Sequence, residues 1–245
     1  MKEKILKITE LIDKSYNIVV FTGAGISVPS GIPDFRSADG LYNQDSGLNI
    51  KPEDIISNYF FNKHPDDFYK FYKEKMIYPN AKFNEAHKFF AELENHNKNV
   101  TIVTQNIDGL HTSAGSTNVL EIHGAVSRNY CMKCRRFYSL EDIMKIPNTP
   151  KCSCGGIIKP DVVLYGENLD YNTITKSMYK ISNADLLIVL GTSLLVHPAN
   201  SLISYFQGKN IIIINKETTP YDNVASIVIH DDIIKVVNEL KSYYL

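Results

Sequence analysis

The sequence predicts an α/β fold: an open parallel sheet with crossover helices on both faces. Two observations carry that prediction. Short β-branched runs bounded by turn residues occur at 18–21, 100–103, 186–190 and 211–214, and they lack polar alternation, as strands covered on both faces do. Stretches with helical periodicity lie between them, such as Asn84 to Leu93 and Ile174 to Ile181. Strand and helix in this alternation build a layered, Rossmann-like sheet.

Taken in order, Ile5, Leu6, Ile8, Leu11 and Ile12 fall at helical spacing, and acidic residues interrupt them. This reads as an amphipathic helix rather than a signal peptide. The first strand follows. Residues 37–80 break the pattern with Tyr59, Phe60, Phe61, Phe68, Tyr69, Phe71 and Tyr72, and are expected to form a helical insertion packed over the sheet. Residues 128–159 break it again, being rich in Cys and Lys, and are read as an inserted module. Segments 1–36, 81–127 and 160–245 then make the main domain. Ile227 to Ile229 forms a further strand, and a last helix is expected from Asp231 to about Tyr243, with Asp231 and Asp232 at its positive end.

At 245 residues the chain can bury one large core, or one core plus a small module. Its net charge of −1 provides no global field toward nucleic acid or membrane. No apolar run approaches the roughly 20 residues that span a bilayer. A cytoplasmic monomer is the expectation, with no membrane partner.

The four cysteines all lie between Cys131 and Cys154. Disulfides scatter more widely and accompany secretion, whereas this clustering suggests a metal. Cys131-x-x-Cys134 and Cys152-x-Cys154 supply four soft ligands, which points to one structural zinc with no position open to water. The second pair departs from the commoner C-x-x-C, because Lys151 stands where a ligand is expected. Cys152 must therefore reach in through a tighter turn, helped by Gly155 and Gly156. A metal-free loop of free thiols is the alternative. The module is locally basic through Arg128, Lys133, Arg135, Arg136, Lys145, Lys151 and Lys159. A solvated face is the favoured meaning, and an acidic partner or weak nucleic-acid contact the other.

Thr22-Gly23-Ala24-Gly25-Ile26-Ser27 follows the first strand directly. Glycines at such a turn let the backbone approach a diphosphate, whose charge helix N-terminal amides then meet. The strict fingerprint wants a third glycine where Val28 stands, so a tight turn packed for its own sake is the competing account. Ser30-Gly31-Ile32-Pro33-Asp34-Phe35-Arg36 comes next, and Gly23 to Arg36 as a whole resembles the first signature of the sirtuins, the NAD-dependent protein deacylases. The resemblance continues in family order through Thr104-Gln105-Asn106-Ile107-Asp108-Gly109-Leu110-His111, Glu121-Ile122-His123-Gly124, Val162 to Glu167 and Gly191 to Ala199.

That resemblance implies removal of acyl groups from lysine with NAD as co-substrate and nicotinamide as leaving group. It makes 1–36, 81–127 and 160–245 a Rossmann-like NAD-binding domain. Histidine suits a general base at neutral pH, and the family block assigns that role to His123. His111 and His197 receive none. Asn106 and Asp108 would handle the nicotinamide ribose and carboxamide, with Ile32, Phe35 and Ile107 as an apolar pocket and Gln105 on the ribose. Ala24, Gly25 and Val28 would line the dinucleotide, bordered by Arg36, although an Asp34–Arg36 ion pair could instead merely shape that loop. Thr192, Ser193 and Asn215 would serve the adenosine ribose, and Ile233 the adenine. The acyl-lysine peptide would lie as an added strand between Val163, Gly166 and Glu167 on one side and Leu195 and Val196 on the other.

Sirtuins that prefer succinyl or malonyl groups carry Tyr and Arg three residues apart. Here Tyr69 is followed by Tyr72, which cannot form the bidentate charged pair, so neutral acyl groups are expected, acetyl first. Lys73 could partly substitute. The rivals are mono-ADP-ribosyl transfer on the same fold, a hydride-transferring dehydrogenase, weakened by the broken glycine fingerprint, and a non-catalytic zinc-ribbon binding module.

Overall fold

The computed structural model describes residues 1–243. Its strands are β1 (Asn17–Thr22), β2 (Asn99–Thr104), β3 (Val119–Glu121), β4 (Gly124–Cys131), β5 (Phe137–Ser139), β6 (Ile158–Val162), β7 (Leu186–Leu190), β8 (Asn210–Ile214) and β9 (Ile227–Ile229). The helices are α1 (Lys2–Lys14), α2 (Pro52–Ile55), α3 (Asn58–Lys63), α4 (Pro65–Lys75), α5 (Glu85–Asn95), α6 (Leu110–Ser113), α7 (Leu140–Met144), α8 (Tyr171–Ser182) and α9 (Ile233–Lys241). No helix among the described residues is long and apolar enough to cross a membrane.

A six-stranded parallel sheet runs in the order β3-β2-β1-β7-β8-β9. Its apolar strands face helices on both sides. Ile18 and Val20 join Ile102, Ile188 and Ile212 against Ile5, Ile8, Phe89, Phe90 and Val236 of α1, α5 and α9. Val19 and Phe21 point the other way, with Val103, Val189 and Ile213, against Ile181 of α8 and Leu202 and Ile203. Burying each such side chain contributes roughly 1.5–3 kcal/mol. Asn84 caps α5 with its side chain, and Asp232 caps α9 by accepting from the Ile234 and Lys235 amides. The last helix thus starts two residues later than its sequence suggests, while Asp231 pairs with Lys235 instead.

The second body is a three-stranded antiparallel sheet, β5-β4-β6, that reaches beyond residues 128–159 on both sides. The aromatic helices do not pack over the parallel sheet, as their sequence suggested. Phe60, Phe61, Phe68, Tyr69, Phe71 and Tyr72 share one core with Cys131, Ile143, Cys152 and Ile158. Two insertions far apart in sequence thereby complete each other, because neither has enough apolar surface to bury alone. Asp66, Lys73 and Tyr69 lock the joint by hydrogen bonds to Thr149, Ile146 and Ile158.

Candidate active site

The strand order reverses between β1 and β7, and open α/β sheets bind ligands at the carboxyl ends of strands at such a switch point. Here the turns after both strands interlock. The Gly23 amide donates to Leu190 O at 3.2 Å and the Gly25 amide to Gly191 O at 2.8 Å. A Cβ on Gly25 would lie 2.8 Å from Gly191 Cα, and one on Gly23 2.7 Å from Thr192 Cβ. Packing alone therefore demands these glycines, and it leaves bare backbone as the floor of a cleft of about 710 Å³. No α-helix starts at this turn. Ala24–Ile26 and Val28–Ser30 are single 3-10 turns, so there is no helix–strand contact for a third glycine to serve, and Val28 stands exposed on the rim.

β2 delivers the second group of side chains. The Gln105 amide donates to Thr22 O at 3.0 Å, and Gln105 Nε2 to Thr192 Oγ1 at 3.0 Å, which ties the second loop to both glycine turns. Asn106 Nδ2 donates to Ser27 Oγ at 3.1 Å. Gln105, Asn106 and Ile107 line the cleft. Asp108 does not; it sits behind Ser27 and accepts from the Leu110 amide at 2.8 Å. Burial raises the Asp108 carboxyl above the usual range, while those two hydrogen bonds pull it back down.

His123 ends the turn between β3 and β4 and lines the same cleft. Its Nδ1 lies 2.9 Å from the Gln105 carbonyl oxygen, which can only accept. Nδ1 must therefore carry the proton, leaving the Nε2 lone pair free in the neutral ring. Burial lowers the His123 pKa, and the bond to Gln105 opposes that shift. Gly124 makes the turn at φ +75°, and the Val163 amide donates to His123 O at 3.0 Å.

The remaining walls gather most of the residues singled out in the sequence. Ala24, Phe35, Arg36, Thr192, Ser193, Asn215, Ile233, Val163, Gly166, Glu167 and Val196 all face the cleft. Ile32 and Leu195 lie outside its lining, Leu195 being exposed. The Glu167 carboxylate is already engaged, by Lys159 Nζ at 3.0 Å, the Leu164 amide at 2.9 Å and Asn58 Nδ2 at 2.7 Å. Asp34 accepts the amides of Arg36 and Ser37, at 2.9 and 2.8 Å, rather than pairing with the Arg36 guanidinium, which lies over the Tyr42 ring. Sequence reasoning missed Tyr42 and Tyr165, whose hydroxyls hydrogen-bond each other on the cleft wall. It also missed Met76, Lys216, Glu217 and Asp232. They lie in loops, in a 3-10 turn or at helix ends, where a local pattern can mark a cap, as it did for Asp232, but not a side chain that lines a cleft.

The four cysteine sulfurs lie within 4.8 Å of one another. Cys131 and Cys154 sulfurs are 3.4 Å apart and those of Cys134 and Cys152 3.6 Å apart. Those separations are far too long for a disulfide and close to the edge of about 3.8 Å that a zinc tetrathiolate with 2.3 Å bonds requires. The Gly155 amide donates to Cys152 O at 2.8 Å, and Gly155 has φ +80°, which makes the tight turn that brings Cys152 inward. Lys151 pairs with Ile157 in a bridge and offers nothing to the cluster.

Comparison with known proteins agrees with this geometry. The Sir2 family model matches residues 23–198. A Clostridium perfringens (strain 13 / Type A) protein named NAD-dependent protein deacetylase is 53% identical over 242 residues, covering 98% of this chain and 99% of its own. A Staphylococcus aureus (strain N315) protein of the same name is 45% identical over 240 residues, covering 98% and 99%. Among solved structures, Sir2 bound to acetylated peptide superposes with TM-score 0.87 at 35% identity, covering 98% of both chains. A complex of Sir2, p53 peptide and NAD+ gives TM-score 0.85 at 38% identity, covering 97% of both. The chain belongs to the Sir2 family.

Proposed function

We propose that this chain is an NAD-dependent protein lysine deacylase that acts on acetyl-lysine in preference to charged acyl groups. The observation that carries the reading is the His123 ring, which lines the cleft with Nδ1 held by Gln105 and Nε2 free. NAD, when bound, supplies an electrophilic ribose carbon and nicotinamide as leaving group. The protein's part is to bind, orient and exclude water. The bare glycine floor accepts the diphosphate, and Asn215 and Ile233 take the adenosine end. Phe35 and Ile107 keep the reactive carbon dry, and Asn106 holds the nicotinamide ribose through its Ser27-anchored amide. His123 Nε2 is the proton acceptor for a substrate hydroxyl.

The acyl choice rests on α4. Tyr69 gives its hydroxyl to Ile158 O, and Tyr72 is fully buried against Phe68, so neither side chain offers a cation. Lys73 donates to the carbonyls of Ile146 and Asn148 and is committed there. Met76 reaches the cleft with an apolar thioether. A carboxylate-bearing acyl group would find no partner on this wall. The peptide adds as a strand between Val163 and Val196. Four clustered thiols suit a reducing compartment, so we place the protein in the cytoplasm.

The test is incubation with NAD and matched acetyl- and succinyl-lysine peptides, followed by mass spectrometry. Nicotinamide release stoichiometric with deacetylation, and a higher kcat/KM for acetyl, is the expected result. NADH formation, or ADP-ribosylated protein without deacylation, would overturn the reading.

A further inference from the structure

Beneath the cleft, two histidines are buried with their rings 4.8 Å apart, and the reading above uses neither. His87 is 0% exposed and His111 1%. His87 Nε2 and His111 Nδ1 have no hydrogen-bond partner, which is costly for polar nitrogens sealed from water. Burial lowers both pKa values, so both rings are neutral near pH 7 and each carries one proton.

The position of each proton follows from the neighbours. His87 Nδ1 accepts the Asn84 amide at 3.3 Å, within the capping box of α5, so its proton sits on Nε2. Were the His111 proton on Nδ1, two unpartnered donors would occupy adjacent rings. With that proton on Nε2, the unpartnered pair becomes one donor and one acceptor. His111 Nε2–H then donates to Thr22 Oγ1 at 3.0 Å, and the Thr22 hydroxyl donates to Thr104 Oγ1 at 2.8 Å. The same Thr104 oxygen receives the Asn106 amide at 3.0 Å. That N–H belongs to the peptide group whose carbonyl is Gln105 O, the acceptor of His123 Nδ1–H at 2.9 Å.

We propose that His111, Thr22 and Thr104 form a buried donor relay that fixes the plane of the Gln105–Asn106 peptide group, making His111 a positioning residue for His123. The Thr22 hydroxyl holds Thr104 Oγ1 in one place, the Asn106 N–H is anchored on that oxygen, and the peptide plane so fixed aims the Gln105 carbonyl at one imidazole nitrogen. The proposal deepens the assignment of His123 as base and rests on it for its kinetic consequence, though not for its structural one. Burial lowers the His123 pKa and the Gln105 bond raises it, so weakening that bond lowers it further. The charged groups lining the same cleft are Asp34, Arg36, Glu167, Lys216, Glu217 and Asp232, with His197 the other histidine there, and none of them belongs to the relay.

The experiment is an NMR titration of the His123 imidazole in the whole protein without NAD, beside deacetylation kinetics, for wild type, His111→Phe, His111→Gln and Thr22→Val. His111→Phe and Thr22→Val should each shift the His123 midpoint to lower pH by about 0.3 units or more, since the bond they weaken favours the charged ring. Each should also lower kcat about threefold or more with the peptide KM unchanged. His111→Gln restores a donor at the Nε2 position and should recover most of both. If His111→Phe fails to fold, the isosteric Thr22→Val carries the test alone. An unmoved His123 midpoint and kcat in a folded His111→Phe or Thr22→Val protein would overturn the relay, as would a Gln variant no better than Phe. If wild type itself does not deacetylate, the deacylase reading fails while the titration still decides the relay.

Discussion

The Ser27 hydroxyl donates to Asp108 Oδ2 at 2.7 Å, so a serine of the first loop supports a carboxylate of the second. Ser27 Oγ in turn accepts from Asn106 Nδ2, so the two residues expected at the nicotinamide ribose and carboxamide share one support. Ser27→Ala leaves Asp108 with only the Leu110 amide as donor and strands the Asn106 amide. Losing a buried partner of this kind costs about 1–3 kcal/mol, so kcat/KM for NAD should fall roughly 5- to 150-fold. The Asp108 carboxyl should titrate higher than in wild type, because burial raises it and one opposing bond is gone. Steady-state kinetics and carboxyl NMR read the two effects; a wild-type value in both defeats the account.

His123→Ala removes the proposed base and should reduce deacetylation by ~10²–10⁴-fold. The fold and the metal content should not change, since the ring's hydrogen bond is to Gln105 O alone. In wild type the acid limb of kcat/KM should lie below about pH 6.5, because burial holds the imidazole neutral. An acid limb well above that value would exclude His123 as the titrating base.

The cysteine cluster should bind one zinc per chain, and Cys131→Ser should abolish that stoichiometry in elemental analysis. Cys131 and Cys152 belong to the core that also holds Phe61, Phe68 and Tyr72. Removing the metal should therefore lower the Tm of the whole smaller lobe and not just loosen a surface loop. A chelator-treated protein with unchanged Tm contradicts this.

Stability should decline on acidification in a particular window. Burial pushes the His87 pKa down to about 4, below the value near 6.5 in an unfolded chain. Protonation therefore favours the unfolded state. The contribution is complete above about pH 6.5 and is lost as pH falls toward 4, amounting to roughly 3 kcal/mol. His111 acts in the same direction. Denaturant midpoints measured between pH 7 and pH 4 should fall less steeply in His87→Gln than in wild type.

The parallel sheet was legible because unbroken Val and Ile runs are what strands covered on both faces require, and β7 matches its run residue for residue. The cysteine site was legible for a similar reason, since soft ligands at close spacing have few other uses. The shared core of residues 37–80 and 128–159 was not, because Phe68 and Cys131 enter it across a distance in sequence that no periodicity encodes. Gln105, Asn106 and His123 could be picked out by their blocks. Their geometry could not: only the folded chain shows that Asp108 stands behind Ser27, or that Glu167 spends its carboxylate on Lys159. The 3-10 turns after β1 escaped for want of a signal separating them from a first helical turn.

Strand β4 begins at Gly124, next to His123, and ends at Cys131. One strand therefore leaves the proposed base at its start and reaches a cysteine of the proposed zinc site at its end, with a bulge between Ala125 and Asn129 where its pairing with β6 shifts register. The thiolates are the groups in this protein most readily attacked by peroxide, electrophiles or heavy metals. The segment that follows His123 is thus anchored at its far end by the cysteine cluster rather than by the parallel sheet.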